Sequence, residues 1–401
     1  MVMKATYFFR VLSGTFLIAG TMIGAGMLGI PLVTAACGFV PACVITCIVW
    51  FFMLCTGLLF LEASLWLPDG CHVLSITEAF FGKIGRYVSG AMFIFLYYCL
   101  MIAYIAAGGP LLGSGFAGLG MSLGGIQSLA LFMLLFGGIV TIGPKSIDRV
   151  NIILSVSMIV AWFVLLGSGG SEVRFDYLAS KNWSKVMLAM PILFSAFGFH
   201  NLIPSLCTYL RRDKRALRHA IWWGSILPLV VYLVWQWLII GAIPKELIAQ
   251  ALREGKPITA IFQAVTGEGF FVMMGRFFSF FAIATSVLGV SFSLVDFLGD
   301  GCGIEKRTGW RRLILSAAVF VPPFIFAVLN PQIFATALGV AGGFGEAFLN
   351  GLLPVAIVWV GKYHQRRKGG IGWLERRPVL AILFAYGVFV MGFETYHLLS
   401  M

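Results

Sequence analysis

The chain has 401 residues, 60% of them hydrophobic and only 11% charged, with a formal net charge of +12. Soluble domains carry roughly 25% charged residues, so a water-soluble enzyme is excluded, and the apolar runs of about 20 residues that recur along the chain each match the thickness of a bilayer. No charged stretch is longer than a loop, which leaves no room for a soluble domain.

Eleven membrane spans are predicted. The first, at 11–36, is too long for the apolar region of a signal peptide and lacks a small-residue cleavage site, so it is read as a span that is kept. It contains LIAGTMIGAGMLGIP, with Gly20, Gly24, Gly26 and Gly29 ahead of Pro31. Glycine costs about 1 kcal/mol relative to alanine inside a helix. Such a cluster has two readings. One is close helix packing through small residues. The other is an interrupted helix, whose freed N–H and C=O groups must face protein, water or a ligand because lipid cannot satisfy them.

The second span, 40–66, carries Glu62 near one end, read as snorkelling to the interface. HVLSITEAFFGKIG follows as a short amphipathic interfacial helix. The third span, 86–112, places Tyr97 and Tyr104 on one face, and the fourth and fifth lie at 126–143 and 150–167. The sixth, 185–210, contains FSAFGFHNLIPSL, in which Gly198 stands mid-span beside His200 and Asn201, with Pro204 following. After the seventh, 219–243, PKELIAQALREGKPITAIFQAV reads as one or two surface helices starting at Pro244. The eighth, 270–298, holds Thr285 and Ser286, with Asp296 near its interfacial end. The ninth is 313–329, the tenth, 331–361, holds Glu346 in GGFGEAFLNG, and the eleventh is 378–399. Most of the eight cysteines fall inside spans without paired spacing and read as small buried hydrophobes.

With the N-terminus in the cytoplasm, the inside segments hold 21 Lys and Arg and the outside segments 6. That asymmetry predicts N-terminus in and C-terminus out. The basic loops then face anionic lipid, and nothing in them points to nucleic acid; RRDKRALRH is a solvated cytoplasmic loop.

The two glycine–proline breaks are equally spaced, to within one residue, whether measured from Gly24 to Gly198 or from Pro31 to Pro204. Spans one and six therefore break at matching depths, five spans apart. An odd number of spans per unit makes the two units opposite in topology, and paired breaks in inverted halves point to the midplane site of a secondary transporter. The expected organisation is a first repeat at 1–167, a second at 168–361, and a basic loop plus the last span at 362–401. The half-helix starting near Gly26 offers N–H groups and a positive dipole end to a carboxylate. Carbonyls freed near Gly20–Thr21 and Ser195–Phe197 suit an ammonium group, so the pair of breaks fits an α-amino acid. Tyr97, Tyr104, Phe197 and Phe199 form either an aromatic pocket around the breaks or ordinary core packing.

GTMIGAGMLGIP and SAFGFHNLIPSL, with LGVSFSLVDFLGD, YIAAGGPLL and FGKIG, resemble the hydroxy/aromatic amino acid permease family, and within it the tyrosine-specific permeases. The resemblance spans essentially the whole chain. It implies an all-α, leucine-transporter-type fold of 11 helices, a 5+5 inverted repeat with helices one and six broken. It also implies import of tyrosine or another aromatic amino acid across a bacterial inner membrane, coupled to protons. The family's substrate-binding breaks map onto Gly20, Thr21, Ile23, Gly24, Ala25, Gly26 and Met27, and onto Ser195, Ala196, Phe197, Gly198, Phe199, His200 and Asn201. Asn201 departs from the pattern, standing where the family often has glycine.

The coupling ion is left between proton and sodium. A carboxylate well inside a span costs roughly 2.5–3.5 kcal/mol, which makes Glu346 a functional candidate, against a purely structural partner. His200 is a second titratable candidate, for coupling or gating, against a hydrogen-bonded structural histidine. Some proton-coupled relatives of this fold carry a lysine in span five, and VNIILSVSMIVAWFVLLG has none. Thr285 and Ser286 lie where this fold can hold sodium, although hydroxyls in membrane helices usually bond their own backbone. A channel would need a continuous polar path or charged rings. An enzyme would need a nucleophile or metal cluster, and the five histidines show no ligand spacing with cysteine or acid. No cofactor or metal is expected.

Overall fold

The computed structural model describes residues 2–118, 120–255, 257–261, 269–304, 306–368 and 370–400. Among the described residues, ten helices are long and apolar enough to cross a membrane, and the bent pair at the N-terminus makes the eleventh span. In chain order span 1 is Val2–Met22 with Gly26–Thr34, span 2 Phe39–Leu65, span 3 the membrane part of Val73–Ala117, span 4 Gly125–Ile142 and span 5 Pro144–Gly169. Span 6 is Trp183–Tyr209, span 7 Lys214–Ala242, span 8 Phe270–Gly301, span 9 Gly309–Leu329, span 10 Phe334–His364 and span 11 Arg377–Leu399.

Local chemistry sets the ends. Asp213 caps span 7 by accepting from the N–H groups of Arg215 and Ala216 at 2.9 and 3.2 Å. Prolines open spans 5 and 11, where a missing N–H costs nothing. The interfacial helix after span 2 runs directly into span 3, with a turn only at Gly82 (φ 65°, ψ −163°), a conformation closed to residues with a Cβ. Pro244 caps the surface helix Lys245–Arg253, and a short turn of 3-10 helix follows at Ile258–Ile261. Lys256 and the 262–265 end of that surface stretch lie outside the described residues.

Packing reproduces the inverted pairing. Span 1 lies along span 7, and span 6 along span 2; span 5 lies along span 8, and span 10 along span 3. Exchanging each span for the one five places away turns the first contact into the second and the third into the fourth. Spans 3, 4, 8 and 9 pack on one another, and span 11 lies outside this set against span 10.

Two sequence readings are corrected here. Glu62 does not snorkel: it is 1% exposed, with Lys214 Nζ at 3.5 Å and an Arg218 nitrogen at 3.8 Å. Span 7 begins right there, and its basic first turn brings the cations to the acid. The cysteines are not uniformly buried either. All eight are free, and Cys47 in span 2 and Cys302, just past the end of span 8, are exposed.

Candidate functional site

Span 1 bends by 57° where helix stops at Met22 and resumes at Gly26. The glycines allow close approach here. A Cβ on Gly24 would meet the Ser286 Oγ, and one on Gly26 would lie 3.1 Å from Ala196 Cα. Span 1 thus touches span 8 on one side and the break of span 6 on the other. Ser286 uses that proximity. Its hydroxyl donates to the Ala282 carbonyl at 2.9 Å, back onto its own helix, and accepts from the Ala25 N–H at 2.9 Å. Thr285 bonds only its own helix, at 3.0 Å to Phe281 and 3.1 Å to Ala282.

Span 6 stops being helical at Phe197, turns through Gly198 and Phe199, and resumes with a tight turn at His200–Leu202 before helix Ile203–Tyr209. Glu346 fills the space left at Gly198: a Cβ there would lie 2.7 Å from its Cδ. The acid comes from a wide, π-helical stretch of span 10, Ala341–Leu352, where Asn350 donates to its Oε2. Gly342 presses this stretch onto the Pro191 backbone, so span 10 reaches span 6 without a side chain between them.

A cavity of about 890 Å³ lies against both breaks. Among the predicted residues, Gly20, Thr21 and Ile23 line it from span 1 and Ser195, Gly198 and Asn201 from span 6. Tyr97, Tyr104, Thr285, Ser286 and Glu346 complete that set. The Asn201 amide donates to the Tyr97 hydroxyl at 2.7 Å, and Phe93 stacks on Tyr97 with centroids 4.1 Å apart. The cavity has a direction. Gly20, Thr21 and Asn201 are exposed, whereas every residue of Gly26–Thr34 is buried. It is closed on the side of that half-helix and opens toward the N-terminal half of span 1.

The other predicted residues stand behind this wall. Gly24, Ala25, Gly26, Met27 and Ala196 form the buried crossing of the two breaks. Phe197 packs edge-on to Tyr232 at 5.0 Å, and Phe199 lies beside His200 at 4.8 Å; neither ring lines the cavity. His200 is 1% exposed and faces span 2, with Nε2 3.0 Å from the Thr56 hydroxyl. The aromatic lining comes instead from residues such as Phe60, Phe93, Trp162 and Phe278, together with Tyr97 and Tyr104.

Two side chains of span 7 had no signal in the sequence. The Tyr232 hydroxyl lies 2.6 Å from the Met22 carbonyl and 2.9 Å from the Ala196 carbonyl, the last helical residue of each first half-helix. Its single proton serves one carbonyl at a time. Trp235 Nε1 donates to the Met27 carbonyl at 3.1 Å, on the other side of the first break. In a chain with 15% aromatic residues neither stands out. Only an unusual polar partner would mark them, and that partner is backbone.

Related proteins place the chain in a family. A tyrosine-specific transport system 1 of Haemophilus influenzae is 35% identical over 87% of this chain and 88% of its own. A tryptophan-specific transport protein of the same organism is 32% identical, covering 83% of each chain. Among solved structures, a crystal structure of MhsT in complex with L-phenylalanine superposes with a TM-score of 0.62 at 14% identity, covering 96% of this chain and 98% of that one. At that identity the likeness speaks for the fold, which is the leucine-transporter type with its two broken helices. The tryptophan/tyrosine permease family matches residues 9–394. So nearly the whole length of an integral membrane protein, from its first span to its eleventh, is accounted for by one kind of transporter, and the chain belongs to the tryptophan/tyrosine permease family.

Proposed function

We propose that the protein imports tyrosine by proton symport across a bacterial inner membrane, with its N-terminus in the cytoplasm and its C-terminus outside. The observation that carries the coupling is the Glu346 carboxylate set against Gly198, inside the cavity wall and at the break of span 6. An ionised carboxylate at that depth in a span is costly, and acids found there commonly mark proton or ion paths. In its protonated form it is neutral and compatible with a closed site; once open to the N-terminal face it can release its proton to water. Substrate and proton then share one wall. The amino acid's charged ends meet the backbone at Gly20–Ile23 and Ser195–Gly198, and its ring lies among the aromatic side chains. Tyr97 and Asn201 offer hydrogen bonds to a phenol.

Tyrosine is favoured because two relatives, at 35% and 32% identity, are named tyrosine-specific transport systems. Tryptophan is the second reading, supported by the relative named tryptophan-specific at 32%. Sodium coupling has Thr285 and Ser286 in its favour, since both line the cavity beside the first break. Ser286 accepts the Ala25 N–H with one lone pair of its oxygen, so the second would have to meet the cation.

Uptake of radiolabelled L-tyrosine into proteoliposomes, with an inward proton gradient and no sodium, tests the reading. Wild-type protein should accumulate tyrosine, tryptophan and phenylalanine should compete better than leucine, and Glu346→Gln should fall to background. A strict sodium requirement without response to a pH gradient would move coupling to Thr285 and Ser286. A preference for leucine would reduce the aromatic wall to packing.

A further inference from the structure

Span 11 carries a second carboxylate that the cavity does not use. Glu394 sits near the end of Arg377–Leu399, yet it is only 3% exposed, so neither water nor lipid covers it. What faces it from span 10 is bare backbone. A Cβ on Gly343 would lie 2.6 Å from Glu394 Cγ, and one on Gly339 would lie 3.1 Å from Oε1. Two glycines four residues apart share one helix face, and together they make a socket for the acid. From its own helix His397 brings Nδ1 to 3.9 Å from Oε2, which is ion-pair range but beyond a hydrogen bond, and its side chain is 33% exposed.

Among the described residues, the stretches of spans 10 and 6 that pack here bring no other titratable group to the pair. Span 10 from Phe334 to Leu352 has one ionisable side chain, Glu346, whose carboxylate lies against Gly198. Met190–Ala196 of span 6, which packs on the same stretch, has none. An ionised carboxylate away from water is unfavourable unless donors compensate it, and a single imidazole at this distance compensates in part. Neutralised, the acid fits a socket of glycines.

The two acids also address opposite faces. Glu346 lines a cavity that opens toward the N-terminal half of span 1, and the Gly26–Thr34 half-helix closes the other side. Span 11 ends on that other side, with His397 at its tip. Gly343 stands three residues before Glu346 on the same wide turn.

The geometry points to Glu394 as a second proton site of the transporter, loaded through His397 from the face where span 11 ends and linked to Glu346 through the Gly339–Gly343 stretch of span 10. This rests on the proton-symport reading above. Loading moves one proton from the His397 imidazolium to a Glu394 oxygen across a small side-chain shift. One N–H bond breaks, one O–H bond forms, and an ion pair becomes two neutral groups. The neutral acid seats in the glycine socket; the ionised acid is drawn back toward His397. The seating of span 11 on span 10 thereby follows the pH of that face.

The test uses full-length protein in proteoliposomes sorted by orientation. Initial net uptake of radiolabelled L-tyrosine is measured while pH is varied only on the face where the chain ends, and tyrosine–tyrosine exchange is measured without a pH gradient. Wild-type uptake should rise with acid. Glu394→Gln should lose that rise while exchange persists, and His397→Gln should shift its midpoint. A wild-type acid response in Glu394→Gln overturns the proposal. If Glu394→Gln fails to reach the membrane, an unchanged midpoint in His397→Gln overturns it instead. Acid stimulation absent from the wild type itself overturns proton symport, and this inference with it.

Discussion

Gly198 is the residue on which the candidate site turns, because the space where its Cβ would stand holds the Glu346 carboxylate. Gly198→Ala forces the acid or the break to move, and overpacking of this kind costs about 1–3 kcal/mol. Uptake should be lost from Gly198→Ala protein that still inserts and purifies as wild type. Gly138→Ala in span 4, away from the cavity, is the contrast, since nothing would lie within 4 Å of its Cβ; its uptake should persist. Equal behaviour of the two variants would separate Glu346 from transport. Tyr232→Phe removes only the hydroxyl that meets the Met22 and Ala196 carbonyls. It should raise the KM for tyrosine at unchanged protein level, because the two breaks lose their common anchor; a fall in Vmax alone would make Tyr232 a packing residue. Glu346 is legible in the sequence because a carboxylate inside an apolar span stands out. Tyr232 is not, since its partners are backbone carbonyls that no side-chain pattern announces. Asn350 and Glu394 lie between these cases: both are polar residues in apolar spans, but what matters is the helix face each occupies.

At the scale of the element, the breaks behave differently from a helix with a flexible middle. Each is pinned on both sides by specific bonds to neighbouring spans. Span 8 holds the first break through Ser286, whose oxygen accepts the Ala25 N–H, while Thr285 bonds its own helix. A net hydrogen bond is worth about 1 kcal/mol, roughly fivefold in an equilibrium constant. Ser286→Ala should therefore weaken tyrosine binding several-fold, and Thr285→Ala should change it little. Comparable losses in both, relieved by high sodium, would favour a sodium site over a backbone clamp. The breaks are legible because glycine and proline are out of place in lipid-spanning helices, and because the two clusters keep the same spacing. The wide turn of span 10 is not legible. Gly342, Gly343 and Gly345 permit it, but the same composition also serves a straight α-helix packed closely, and only the contact with the Pro191 backbone decides between them. The direction in which Phe197, Phe199 and His200 point is equally hidden. Residues in an irregular segment have no periodicity from which a face could be read.

For the molecule as a whole, the basic loops and the mouth of the cavity lie on one side. The excess of Lys and Arg lies on the side of the N-terminus, the side that the proposed function puts in the cytoplasm. The cavity opens on the same side, past exposed Gly20 and Thr21, while Gly26–Thr34 is buried throughout. In the orientation proposed above, this is the inward-facing form of the transporter. Thr21→Cys should react with a membrane-impermeant maleimide from the N-terminal face, and saturating tyrosine should slow the reaction. Met27→Cys, on the closed side of the break and fully buried, should not react in this form. The unsubstituted chain, with exposed Cys47 and Cys302, provides the blank. A reporter fused after residue 401 should be active only outside the cytoplasm, since an odd number of spans separates the termini. These measurements constrain one another. Labelling of Thr21→Cys from the face that carries the C-terminal reporter would mean that the cavity and the basic loops lie on opposite sides, and the inward-facing assignment would fall even with the orientation intact.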